Sequence, residues 1–482
     1  MNDIKHSTSY TQSVHRLLKV IQDPKSTQTL YGQAAEYFAH ADADKAKLVQ
    51  INEQIVLAKS ELNSAPQKKQ KELTGRIDSL TTRLKDERLR QDEQRLIRLN
   101  KAVKVCLEIL SLSEGEDFED TVLKSAKFLG TVLLLSPSQH KTLSELHQRM
   151  KPAYKAVLSL RLLDKLMLDD VIKNKYILEH YDVRKRYEVQ DGSFVGFTQS
   201  VILPIMMAAI FQDIGLEHPE SLALLKGSDN QDVFRLLKPE ERTAMLKLSY
   251  KQTQDYIVNG LGCQKYSGNS REERTGFDQQ EKMRLRFQQG LIKDAIVSKL
   301  GIGDIIKIPQ VYASIVLSTK RSYQRKDLPK AALLVEQLAE KKTVSNQAAE
   351  AFISIVGYFP QGYGVTYIPI DLRGFETDGY EYAIVNSLYP RDPKEPICRK
   401  VTRQLSYISS GSTEVIKQEY NLRFEPSRKK LTKIDKARLI EIMHKLVHEF
   451  DPADAANLIP TYWEPYEYFS EKKNQNLWNK SA

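Results

Sequence analysis

Between residue 1 and about 135 the chain meets only two prolines, Pro24 and Pro66, and few glycines. So long a stretch with so few backbone breakers reads as nearly all helix. Residues 44–62 place Leu48, Ile51, Ile55 and Leu62 at a helical rather than a strand period. Asn63-Ser64-Ala65-Pro66 then interrupts the helix. A second long helix starts near Gln67, with Leu73, Ile77, Leu80 and Leu84 alternating four- and three-residue steps. That is a coiled-coil seam, but Glu87 and Gln91 fall on it after about two heptads. An antiparallel helical hairpin fits better than a long parallel coiled coil. The stripe either joins two copies into a homodimer or packs on Leu48, Ile51 and Ile55, and the sequence leaves both open. Ser113-Glu114-Gly115-Glu116 ends this part, and a short helix runs on to Leu135.

Ser136-Pro137-Ser138 caps a further helical tract to about Glu179, and a mostly helical region covers roughly 195–356. Its punctuation is Gly215, the helix start Lys238-Pro239-Glu240-Glu241 and a polar loop from Cys263 to Gln279, followed by short helices at 330–341 and 346–356. At Gly357 the pattern changes. After a turn at Tyr358-Phe359-Pro360-Gln361-Gly362, strands are expected at 364–368, 380–385, 397–401 and 415–424. Thr432 with Asp435 caps a final helix through Phe450. The tail carries Tyr462, Trp463, Tyr466, Tyr468 and Phe469, which either dock a partner or fold back on the domain. The expected fold is mainly α. It comprises an N-terminal helical hairpin region (1–135), a helical bundle (136–362), a small β unit (363–431) and a C-terminal helix with an aromatic tail (432–482).

Composition narrows the function classes. The 41% hydrophobic and 28% charged content is that of a globular protein with a charged surface. The longest apolar run, Val201 to Phe211, is interrupted by Pro204 and too short to span a bilayer. No apolar signal core follows the N-terminus, so a cytoplasmic location without membrane association is expected. Cys106, Cys263 and Cys398 are odd in number and widely spaced, which suits three reduced thiols. The net charge of +10 could serve nucleic acid. The basic residues are interleaved with acidic ones, however, as in Arg83-Leu84-Lys85-Asp86-Glu87-Arg88, and nucleic-acid binding is not expected.

Several motifs stand in a telling order. Ile210-Phe211-Gln212-Asp213-Ile214-Gly215 reads like an L-H-D-I-G step with glutamine in the histidine position. Pro239-Glu240-Glu241 through Met245 looks like a P-E-E-W-x-x-M helix. Asp304 to Ala313 aligns with an A-R-I-x-x-x-A-D-V-Y-D helix, and Lys320-Arg321-Ser322-Tyr323 stands two residues late for D-R-P-Y. Ala349 to Ile353 leads into Gly357-Tyr358-Phe359-Pro360-Gln361-Gly362, like a closing helix and a Tyr-Pro-x-Gly turn. Together these resemble the HD-GYP family, HD-type metal phosphodiesterases that degrade cyclic di-GMP, over about residues 195 to 370. The resemblance implies an HD-like helical bundle for the central region.

The departures fall on the positions that the resemblance makes functional. The HD histidine is Gln212, with Asp213 retained, and the bridging aspartate is Gln310 with Ala313 as its neighbour. The H-H-E-R-x-D-G loop is reduced to Glu272-Glu273-Arg274-Thr275-Gly276-Phe277-Asp278. Only His180 is placed to stand in for the first histidine ligand. Of nine histidines in the chain, none lies between His218 and His444. A di-metal phosphodiesterase needs two ions, typically about 3.5–4 Å apart, to make hydroxide and stabilise the developing phosphate charge. Glutamine is a poor replacement for imidazole at such ions. The resemblance therefore implies a pseudoenzyme with no catalytic residue, no metal and no cofactor. His180, Gln212, Asp213, Gln310 and Ala313 would be vestigial metal-site positions. Such a chain would act as a regulatory or interaction module with protein partners, and cyclic di-GMP would be a candidate ligand gripped by Arg321 and Arg325. The alternative is an active phosphodiesterase whose metal site is rebuilt from Asp213, Glu272, Glu273 and Asp278. Locally, Asp213 reads as a helix-end carboxylate, His218 as a solvated loop residue, and Arg321 and Arg325 equally well as an exposed basic helix end.

Overall fold

The helical periods of the N-terminal region appear as Ser9–Ile21, Leu30–Ser64, Gln67–Ser113 and Phe118–Leu134 in a computed structural model. It describes residues 7–137, 140–182, 186–187, 196–227, 231–299, 301–371, 373–431, 436–446 and 459–479. Ser138 and the expected cap Thr432/Asp435 lie outside the described residues, as does the end of the final helix at Phe450. The fold is mainly α, with a small antiparallel sheet near the C-terminus and a helix after it. Packing divides the chain into two interleaved units, Val20–Val105 with Phe211–Gln289, and Met1–Lys19 with Cys106–Ile210 and Gly290–Ala482. These units cut across the four linear segments read from the sequence. The physical reason is that helix Gln67–Ser113 and helix Arg271–Ile296 each contribute residues to both.

In the first unit the break at Ala65-Pro66 turns helix Leu30–Ser64 back along helix Gln67–Ser113. Ion pairs between them step outward from the turn: Arg76 to Glu61 at 3.5 Å, Lys47 to Glu87 at 2.7 Å, Arg90 to Asp44 at 2.7 Å. Ile51, Ile55 and Leu84 form a buried cluster, with Leu48 and Leu80 packed against it. Leu80 and Leu84 of the seam read from sequence are thus occupied within the chain, whereas Leu73 and Ile77 are half-buried outside this cluster. Glu87, which ends the apolar seam, is itself buried, and Arg90 and Lys47 hold its carboxyl down at about 2.

In the other unit, helix Leu143–Leu168 is buried along most of its length. Helices Phe118–Leu134, Asp304–Val316 and Asn346–Val356 pack on it, and helix Lys330–Glu340 packs on the last two. The strands are β1 (Gly364–Tyr367), β2 (Glu381–Val385), β3 (Ile397–Lys400), β4 (Thr402–Arg403), β5 (Ser406–Tyr407) and β6 (Thr413–Val415). The four-stranded sheet runs β1-β2-β3-β6, with Val365 opposite Ala383, Ile384 opposite Arg399 and Cys398 opposite Glu414. Three strands lie where the sequence placed them. The fourth does not: it is Thr413–Val415, and most of the expected strand 415–424 is irregular. There Tyr420 N–H donates to Lys417 O at 3.0 Å, and the Asn421 side chain accepts from Arg423 N–H at 3.0 Å, local turns that compete with pairing.

The aromatic tail folds back on this unit. Trp463 stacks on Tyr382 with ring centroids 4.9 Å apart, and Tyr462 lies 5.0 Å from Tyr363. A buried charge network ties the same unit together. Arg161 and Arg186 both reach Glu114, at 2.5 and 2.7 Å, and both reach Asp164, at 2.9 and 2.8 Å. The two guanidinium groups hold the Glu114 carboxyl below its ordinary range although burial alone would raise it. The three cysteines are free thiols, Cys106 and Cys398 buried. Among the described residues, no helix is long and apolar enough to cross a membrane.

Candidate functional site

The residues singled out by sequence fall in both units. Gln212 and Asp213 follow the apolar helix Leu203–Phe211, and Ile214–Glu217 then forms a 3-10 turn. Only this turn's close packing explains its glycine. A Cβ on Gly215 would lie 2.0 Å from the Ser249 carbonyl oxygen, and the Gly215 amide donates to Thr253 Oγ1 at 3.0 Å. The glycine of the D-I-G step is therefore required where the turn meets helix Pro239–Asp255.

Around this turn stand Tyr31, Asp213, Glu217 and Tyr256. Tyr31 and Tyr256 are buried, and Asp213 and Glu217 are part-buried. Burial pushes the Glu217 carboxyl up to about 7. Burial also raises the Tyr31 phenol, and the nearby charges of Asp213 and Glu217 raise it further. The Gln212 amide oxygen is buried with no hydrogen-bond partner. Asp213 starts the turn without a side-chain cap bond. His218 is not simply a solvated loop residue: its Nδ1 accepts from the Glu220 N–H at 3.2 Å, capping helix Pro219–Lys226, and its ring meets Phe38 edge-on at 5.3 Å. This corner can hold a proton on Glu217 near neutral pH, and the amide at 212 offers no basic nitrogen for a metal.

The expected polar loop 263–279 is shorter than read, because helix Arg271–Ile296 begins inside it. Ser270 accepts from the Glu273 N–H through Oγ at 3.3 Å and from the Arg274 N–H through its carbonyl at 3.1 Å. That Ser-x-x-Glu spacing is a helix-start signal which the sequence reading missed. Glu272 and Glu273 accordingly sit exposed in the first turn of this helix and Asp278 two turns further on, also exposed, and Glu273 accepts from the Tyr266 hydroxyl.

In the other unit, His180 ends helix Lys175–His180. Its Nδ1–H donates to the Tyr176 carbonyl at 2.8 Å, which leaves Nε2 as the basic nitrogen if the ring is neutral. Gln310 and Ala313 lie on helix Asp304–Val316; Gln310 is part-buried and Ala313 fully buried. Arg321 is exposed, but Arg325 is not an exposed helix end. It is 3% exposed and donates to Glu464 at 2.7 Å, to the Leu133 carbonyl at 2.7 Å and to Ser136 Oγ at 2.8 Å. Its guanidinium is a strut between the tail and the end of helix Phe118–Leu134. Nothing in the residues 320–325 announces that role, since the acceptors come from 133, 136 and 464.

Among the described residues, no three His, Cys, Asp or Glu side chains converge closely enough to hold a metal ion. In comparisons with protein-family models, curated proteins and solved structures, nothing matches the chain.

Proposed function

We propose that this chain is a catalytically inactive HD-GYP-like protein that works as a cytoplasmic regulatory or interaction module in cyclic di-GMP signalling. One observation carries the reading: the Gln212-Asp213-Ile214-Gly215 step keeps its helix end, its carboxylate and its tightly packed glycine, while the imidazole position is an amide. Ala313 and Gln310 support it, because neither a methyl nor an amide side chain supplies a metal-bridging carboxylate. Of the two arginines offered for a ligand-binding remnant, Arg321 is exposed and Arg325 is committed to the protein interior. Protein partners are the other arm of the proposal. Leu80 and Leu84 of the seam already pack on Ile51 and Ile55, so self-association of the N-terminal helices would rest on Leu73 and Ile77, which lie outside that cluster.

Metal analysis and calorimetry with cyclic di-GMP on one purified sample provide the test. The expected result is no stoichiometric iron, manganese or zinc and no cleavage of the dinucleotide. About two metals per chain with manganese- or iron-dependent turnover would overturn the inactive reading. Micromolar binding that Arg321→Ala weakens at least about tenfold places cyclic di-GMP at this edge. Absence of binding in both proteins removes cyclic di-GMP and leaves protein interaction.

A further inference from the structure

Helices Leu30–Ser64 and Gln67–Ser113, with the π-helical turn Tyr256–Leu261, line a half-open pocket of about 840 Å³. Four cationic side chains line it: Lys45, Arg90, Arg95 and Arg98. Three have carboxylate partners, Lys45 with Asp255 at 3.2 Å, Arg90 with Asp44 at 2.7 Å and Arg95 with Asp92 at 2.6 Å. Arg98 differs. Its Nε donates to the Gly260 carbonyl at 2.9 Å and its guanidinium lies 5.0 Å from the Tyr37 ring centroid, which fixes its plane. Among the described residues it forms no ion pair, and its two terminal nitrogens have no protein acceptor.

Nearby carboxylates are held elsewhere. Asp255 accepts from the Tyr37 hydroxyl at 2.7 Å, from Asn259 at 2.8 Å and from Lys45. Glu36 lines the pocket from an exposed position and forms no ion pair with Arg98, although its charge acts on that guanidinium. Burial pulls the Arg98 pKa down and Arg95 adds to this, while Tyr256, Tyr37 and Glu36 oppose it. The same pocket is lined by Gln33, whose amide oxygen is buried and accepts no hydrogen bond. The buried Gln33 acceptor is costly to leave unmatched, and the half-buried, positioned Arg98 guanidinium keeps two donors open to a ligand.

We propose that this pocket binds a small phosphomonoester, with the phosphate on the Nη groups of Arg98 and a donor of the organic part on Gln33. A fixed guanidinium fork suits phosphate oxygens, and the pocket volume lies in the range of small-molecule sites. The remaining cations Lys45, Arg90 and Arg95 are each paired with a carboxylate and Glu36 adds a negative charge, so the pocket accommodates one phosphate rather than a polyphosphate chain. The site is independent of the HD-GYP-like reading, because none of its lining residues belongs to those motifs.

The test titrates the full chain with inorganic phosphate, adenosine 5′-monophosphate and adenosine by calorimetry. Saturable binding of the monophosphate, weaker binding of phosphate and none of adenosine are expected. Arg98→Gln should weaken the monophosphate at least about tenfold. Gln33→Leu removes the unmatched oxygen, so it should leave or raise the melting temperature while weakening the monophosphate and sparing phosphate. This second variant keeps the test decisive if Arg98→Gln fails to fold. Failure of the wild type to bind either anion at millimolar concentration overturns the proposal. So does binding that both folded variants retain unchanged, or adenosine binding as tightly as its monophosphate.

Discussion

Replacing Glu217 by glutamine tests whether the turn after Asp213 is a desolvated corner. Its carboxyl is raised from 4.5 to about 7 by burial, beside Tyr31 and Asp213. Below pH 4.5 the group is protonated in both folded and unfolded chains and costs nothing. Between 4.5 and 7 the unfolded chain gives up its proton while the folded chain keeps it, so stability falls as pH rises and the loss is complete above about 7. One pKa unit is worth about 1.4 kcal/mol. Because the side chain keeps some solvent contact, solvent screening reduces the full figure, and about 1–2 kcal/mol is expected at pH 8. Glu217→Gln retains shape and removes the titration. Urea unfolding should therefore find it close to wild type at pH 4.5 and more stable by that amount at pH 8. A pH-independent difference, or a wild type that gains stability between pH 5 and 8 relative to the variant, would refute the desolvation argument.

Three further outcomes follow from particular contacts. Gly215→Ala places a methyl 2.0 Å from the Ser249 carbonyl and should cost about 3 kcal/mol or more; a loss under about 0.5 kcal/mol in the same unfolding assay contradicts that packing. Gln212→His alone should yield no metal-dependent phosphodiesterase turnover, because Gln310 and Ala313 still lack a bridging carboxylate, and substantial turnover with manganese would show that enough ligands remain. Arg325→Ala removes one partner of Glu464, which keeps the Tyr462 hydroxyl and Tyr466 N–H, and leaves the carbonyls at 133 and 136 without their guanidinium; it should cost about 2–3 kcal/mol, with Arg325→Lys recovering little because one ammonium lacks the fork geometry. Equal proteolytic resistance of the 459–479 tail in wild type and both variants would argue against the strut.

Local order was legible where it arises from neighbours in the chain. The period of Leu48, Ile51 and Ile55, the break at Pro66, the Pro239 helix start and three of the four sheet strands all follow from spacing and from residues with restricted backbones. So did the identity of the amide at 212, which is a fact of sequence alone. The Ser270 helix start is equally local, since its Ser-x-x-Glu spacing lies within the first turn of helix Arg271–Ile296. Other features depend on residues that sequence order keeps apart. Leu80 and Leu84 could serve a partner chain as well as Ile51 and Ile55, and only packing within the hairpin decides between them. Arg325 looked like a surface cation because its acceptors lie 139 and 189 residues away. Arg98 acquires meaning only once Tyr37 and Gly260 are brought against it. Sequence alone determined which stretches become helix or strand, because backbone preferences and periodicity act over a few residues. Tertiary structure decided which charges are buried, paired or left unmatched, because desolvation depends on whatever the rest of the chain places around them.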